Sequence, residues 1–102
     1  MNNEGYSKPV IVCAANRDTP SGDVILGARH WDMLMRDAYY NWCQANNNET
    51  KHIPFKEQGF IDQHGQFHTR TEAWKIAEAN GQIIKRVGGD DANGGTLYSE
   101  NL

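Results

Sequence analysis

The chain lacks most of the signatures that would mark an enzyme, a membrane protein or a disulfide-stapled fold. It has only two cysteines, Cys13 and Cys43, with no CxxC spacing. That usage fits reduced thiols in the cytosol better than a disulfide. The longest apolar run, residues 10 to 15, is far too short to span a bilayer, and the opening MNNEGYSKP has neither a basic segment nor an apolar one. A soluble cytoplasmic protein is expected, with residues 1–8 as a flexible N-terminus. The net charge is −3, and no stripe of Lys and Arg interleaves with aromatics, so the overall field disfavours nucleic acid. There is no GxSxG, Cys13 has no evident base, and the glycine-rich stretch GGDDANGG has no GxxxxGK[ST] spacing and carries two acidic residues. Nucleophilic catalysis and a P-loop therefore have no support.

What is present suits one small α+β domain spanning residues 1–102. Residues 9 to 17, PVIVCAANR, are β-branched and apolar behind a proline and predict a buried first strand. Turn chemistry at 18 to 22 returns the chain into a second strand over 23 to 27. From Trp31 the period lengthens: Trp31, Leu34, Met35, Ala38, Trp42 and Ala45 fall at spacings of three and four, predicting a helix of about four turns. A second hairpin follows, with residues 57 to 62 and 66 to 68 flanking Gln63, His64 and Gly65. Thr69-Arg70-Thr71-Glu72 matches a capping box, and Asn80 and Gly81 stop the helix it opens. Residues 82 to 87 could add a strand before a flexible glycine-rich loop over 88–96. Hairpins without βαβ crossovers predict a small antiparallel sheet built from two hairpins, with two helices packed on one face. So small a core also favours self-association.

The pair Arg29-His30 in GARHWDM stands at a strand-to-helix joint. A histidine phosphatase also places Arg-His after a strand, but it needs further His and Arg residues on a longer parallel scaffold. An anion clamp needs less, because a helix start offers N–H groups and a positive dipole end, and arginine adds a planar fork. Arg29 and His30 read equally well as a surface arginine and a loop-capping histidine. The geometry recurs at Arg70, in the first turn of the second helix, after strands bearing Phe60 and Phe67. A base could stack on an aromatic while its phosphate meets Arg70, although both Phe residues also suit a core. Arg86, beside the glycine-rich loop, is a third candidate cation. Four histidines raise the question of a metal, but His64 and His68 are split by a turn, His52 lies in an irregular segment, and no third ligand has a matching spacing. No metal, no cofactor and no catalytic residue is expected, and the chain does not read as an enzyme.

Taken in order, VIVCAANR, GARHWD, GFIDQHGQF, TRTEAWKIAEANGQI and GGTLYSENL resemble small bacteriophage proteins of the first Thoeris anti-defence family. The resemblance covers roughly residues 10 to 102. It implies a sponge protein acting in the host cell cytoplasm during infection, which binds without cleaving the cyclic ADP-ribose isomers released by bacterial TIR proteins. It further implies an α+β protomer assembled as a homodimer or hexamer, with ligand near protomer interfaces and, in some members, cyclic oligonucleotides at a separate site. By the same resemblance Phe60 would stack on a base, and Arg29, Arg70 and Arg86 would contact phosphate and ribose. The alternative expectation is a small phage interaction protein that binds and inhibits a host protein.

Overall fold

A computed structural model describes residues 8–46, 53–90 and 94–102. The β-branched run after Pro9 forms β1, Ile11–Arg17, which turns back into β2, Val24–Gly27. The turn between them is closed by Asp18, whose N–H donates to the Asp23 carbonyl at 2.8 Å and whose carboxylate accepts from the Ser21 hydroxyl at 2.7 Å. Helix α1, Met33–Ala45, follows, and then β3, Glu57–Asp62, β4, Phe67–Thr69, and helix α2, Arg70–Ala79. The four strands form one antiparallel sheet in the order β2-β1-β3-β4. This is the expected α+β fold of two hairpins, joined by pairing β1 against β3.

The register assigns residues to faces, because directly opposed residues on neighbouring antiparallel strands point the same way. Ala14 lies opposite Gly27 and Phe60, Asn16 opposite Ile25 and Gln58, and Phe60 opposite His68, so these share one face. The buried cluster joins Ala14, Ile25 and Phe60 from that face to Met35 of α1 and to Ala73, Trp74 and Ala77 of α2, with Phe55 and Leu97 filling between. Both helices therefore cover the same side. Phe55 is fully buried in a left-handed backbone conformation (φ 56°) and is held by Asn16 Nδ2, which donates to its carbonyl at 2.8 Å. The other face carries Cys13, Ala15, Arg17, Val24, Leu26, Gly59, Ile61 and Phe67.

Three local expectations are corrected. Helix α1 starts at Met33 and not at Trp31, because Trp31 takes a left-handed backbone (φ 58°) and Asp32 is the N-cap. Its buried stripe runs through Met35, Ala38, Tyr39 and Trp42, leaving Leu34 65% exposed. Residues 82 to 87 do not form a strand. The side chain of Gln82 instead supplies both bonds a paired strand would make to Ile11, accepting from its N–H at 2.9 Å and donating to its carbonyl at 2.8 Å. The N–H groups of Ile84 and Lys85 both go to the Asn101 carbonyl. Nor is the whole of GGDDANGG loose. Asp90 is buried and accepts from Arg86, from the Val87 N–H and from Asn101 Nδ2. Residues 1–7, 47–52 with His52, and 91–93 lie outside the described residues.

Candidate functional site

The joint between β2 and α1 is shaped by Gly27. A Cβ there would collide with the Asp32 carboxylate and crowd the Arg29 carbonyl. The bare backbone lets the chain double back, and Asp32 then accepts from the N–H groups of Arg29 and Met35, each at 3.0 Å. Those bonds, the one from Met35 first, hold the Asp32 carboxyl below its ordinary range. The positive end of α1 is thus occupied by the chain's own carboxylate. Helix α2 is closed in the same manner. Thr69 Oγ1 accepts from the Glu72 N–H at 3.2 Å, and Glu72 accepts from the Thr69 N–H at 2.9 Å.

Past Arg29, which is exposed, His30 turns inward. Its backbone N–H donates to Ser99 Oγ at 3.1 Å, its Nδ1 lies 2.7 Å from the same hydroxyl, and its Nε2 lies 2.7 Å from the Gly59 carbonyl. A carbonyl can only accept, so Nε2 carries the proton and Nδ1 accepts from the Ser99 hydroxyl. The ring meets Phe60 edge-on, with centroids 4.9 Å apart. Burial lowers the His30 pKa, and the nearby charge of Arg70 lowers it further against the opposing pull of the Gly59 carbonyl. His30 is therefore a neutral clasp joining the β2–α1 joint, the middle of β3 and the segment around Ser99.

Arg70 opens α2 and lies close enough to His30 to bias its protonation. Its Nη2 donates to Gln58 Oε1, its guanidinium stands 5.1 Å from the centre of the Tyr98 ring, and its carbonyl accepts from the Leu97 N–H at 3.0 Å. The Nε of Arg70 is buried and has no hydrogen-bonding partner. Among the described residues no carboxylate pairs with Arg70, whereas Arg17 pairs with Glu57 and Arg86 with Asp90.

Of the six residues singled out in the sequence, His30, Phe60 and Arg70 come together, with Arg29 exposed beside them. Phe60 is fully buried and meets the site through its T-shaped contact with the His30 ring. Phe67 lies on the opposite face, across Gly59, with the Arg17 guanidinium 4.3 Å from its centroid. Arg86 makes two bonds to Asp90, at 3.1 and 3.0 Å, and lies over Trp74. It is committed to holding its loop. His68 bonds Asp62 at 2.8 Å, and the N–H of His64 donates to the same carboxylate. Among the described residues no group of His, Cys, Asp and Glu is arranged to hold a metal. Gln58, Tyr98 and Ser99 complete the cluster and were not singled out. Only the sheet register and the return of the C-terminal segment bring them to Arg70 and His30.

A second feature is an open apolar groove of about 640 Å³ along the β2 edge, lined by Cys13, Val24, Leu26, Gly27, Leu34 and Ala38. Leu26 and Leu34 are 43% and 65% exposed. No described helix is long and apolar enough to cross a membrane.

Together these features define a small α+β protein with a half-covered antiparallel sheet and, on its covered side, a cation that no carboxylate among the described residues pairs with. Over residues 10–102 the chain matches the family described as "Phage T4 y16D protein", and it belongs to that bacteriophage protein family. No curated protein and no solved structure matches it.

Proposed function

We propose that this phage protein is a binding module that sequesters a small anionic nucleotide signal without turning it over. The observation that carries this reading is Arg70: a partly exposed guanidinium with no carboxylate partner among the described residues, a tyrosine ring beside it and a neutral histidine close by. A partly exposed guanidinium with no acidic neighbour among the described residues suits a phosphate, and an aromatic face suits a base or sugar. The resemblance to the first Thoeris anti-defence family narrows the signal to cyclic ADP-ribose isomers, with cyclic oligonucleotides second, captured in the host cytoplasm. The Ser99–His30 pair does not argue for an enzyme, since the serine is 5% exposed and the outer ring nitrogen is held by a backbone carbonyl. Calorimetry of the purified protein against cyclic ADP-ribose isomers and cyclic di- and trinucleotides tests the reading. Saturable binding, with the ligand recovered intact after heating, is expected. Absence of binding by every member of the panel defeats the proposal, and recovery of a cleaved product makes the protein an enzyme.

A second reading is favoured by the groove along β2, where Met33, Leu34 and Leu26 expose apolar surface. Such a surface suits protein contact, either with a second copy in a homodimer or hexamer or with a host protein that the phage inhibits. One stoichiometric host partner in a pull-down, with no small-molecule binding, favours the host-protein reading.

A further inference from the structure

The sheet has two edges, β2 and β4, and they differ in kind. β4 is three residues long and runs directly into the cap of α2, the short form in which edges are commonly kept from pairing. β2 reads VILG, with no lysine, no proline and no bulge in its pairing with β1, so none of these usual edge protections is present. The direction of its backbone groups follows from the turn. The Asp18 N–H donates to the Asp23 carbonyl, the pair that continues the β1–β2 register, and hydrogen-bonded pairs alternate with non-bonded ones along an antiparallel ladder. Ile25 and Gly27 therefore bond β1, whereas the N–H and C=O groups of Val24 and Leu26 point away from it. Among the described residues nothing bonds those outward groups.

The apolar groove of about 640 Å³ follows the same edge, lined by residues 24 to 28 and by Leu34 and Ala38 of α1, so open space lies beside it. A strand set there would bond the edge and cover Val24 and Leu26, which are 37% and 43% exposed. We infer that the occupant is β2 of a second copy of this chain, paired antiparallel about a twofold axis at Leu26, so that the two sheets become one. This rests on the reading of the groove as a protein contact and is independent of Arg70. Charge selects both the partner and the direction. Asp23 stands just before β2 and Arg29 just beyond its end, and both are exposed. With Leu26 opposite its own copy, each Asp23 falls opposite the partner's Arg29, whereas a parallel pair would set like charges together. Trp42 Nε1 donates to Asp23 Oδ2 at 2.7 Å and leaves the other carboxylate oxygen for a guanidinium. The register also agrees with the backbone, since Leu26, whose groups face outward, would exchange both bonds with its copy. A surface that pairs with itself in this way closes at two copies.

Sedimentation velocity of the purified protein is the first measurement, and the wild type is expected at twice the mass of one chain. Leu26→Lys sets two like charges opposite each other on the axis and is expected to sediment as a single chain, with its far-UV circular dichroism unchanged. Asp23→Arg and Arg29→Asp are each expected to weaken the dimer, and the double variant to recover it. In a Cys13→Ser, Cys43→Ser background, Leu26→Cys is expected to give a disulfide-linked dimer on oxidation and Val24→Cys is not, because only Leu26 lies opposite itself. A single-chain mass for the wild type overturns the inference and leaves the groove to the host-protein reading, which the pull-down decides separately. A dimer that persists in Leu26→Lys, a charge swap that fails to restore it, or cross-linking at Val24 alone also overturns it, while self-contact on another face or in another register stands. Should Leu26→Lys fail to fold, the charge swap decides.

Discussion

At the scale of single residues, the same side-chain type does different work according to its partner. Arg17 and Arg86 spend their charge on Glu57 and Asp90, while Arg70 holds its charge against a neutral amide and a ring. Truncating Arg70 to alanine is therefore expected to weaken anion binding by ~1.5–3 kcal/mol, the range of a charge-assisted hydrogen bond. Arg29→Ala, at an exposed position, should leave the melting temperature unchanged. Calorimetry then tells whether Arg29 reaches the ligand: a loss matching that of Arg70→Ala adds it to the site, and unchanged affinity leaves it a surface residue. His30 yields a pH prediction. Burial, aided by Arg70, places its folded pKa below the ordinary 6.5, so the folded state binds fewer protons than the unfolded one between the two values. Its contribution to stability is complete above pH 6.5 and declines as pH falls through the folded value. Thermal melts should show Tm falling on acidification below pH 6.5, before carboxylates titrate. In His30→Gln that part of the slope should vanish, and an unchanged slope would assign it to another group. Asp62 acts further down: burial would raise its carboxyl, but bonds from His68 and two N–H groups outweigh burial and hold it low, so its contribution is lost only as pH falls further, through that lowered value.

At the scale of elements, much of the fold was legible because it depends on local rules. The capping box at Thr69, the glycine stop at Gly81 (φ 66°) and both hairpins stand where turn and cap chemistry put them. Thr69→Ala should cost about 1 kcal/mol in denaturant melts. Because Arg70 is the next residue, it should also weaken ligand binding if the first turn sets the guanidinium. Stability lost without any change in affinity would separate the cap from the site. What was not legible depended on residues far apart in the chain. The pattern at 82 to 87 is strand-like, and only the presence of Ile11 reveals that the Gln82 amide takes the place of a paired backbone. The helix start at Trp31 gave way to Asp32 because the carboxylate reaches two N–H groups at once. Of the site, the Arg-His pair and Arg70 were visible as residue types at element ends. Gln58, Tyr98 and Ser99 carried no local mark, since their role exists only after the sheet pairs and the C-terminal segment returns.

At the scale of the whole molecule, a sheet covered on one side leaves apolar residues on the other and along the β2 edge. Leu34 lines the groove at 65% exposure and contributes little to the core, so Leu34→Glu should leave the fold intact. If copies meet there, sedimentation should show the variant at lower mass than the wild type. An unchanged mass would move any self-contact elsewhere. The hydrogen bond from His30 to Ser99 closes a loop of 69 positions, and that from Ile11 to Gln82 closes one of 71. Ordering such long loops comes late and slows folding relative to local helices and hairpins. A ribosome must therefore release nearly the whole of this stretch before the histidine can be set. Chains stopped short of Ser99 would carry Arg70 and His30 but not the hydroxyl that holds the histidine, so the cluster forms only once the C-terminal segment has returned to the sheet.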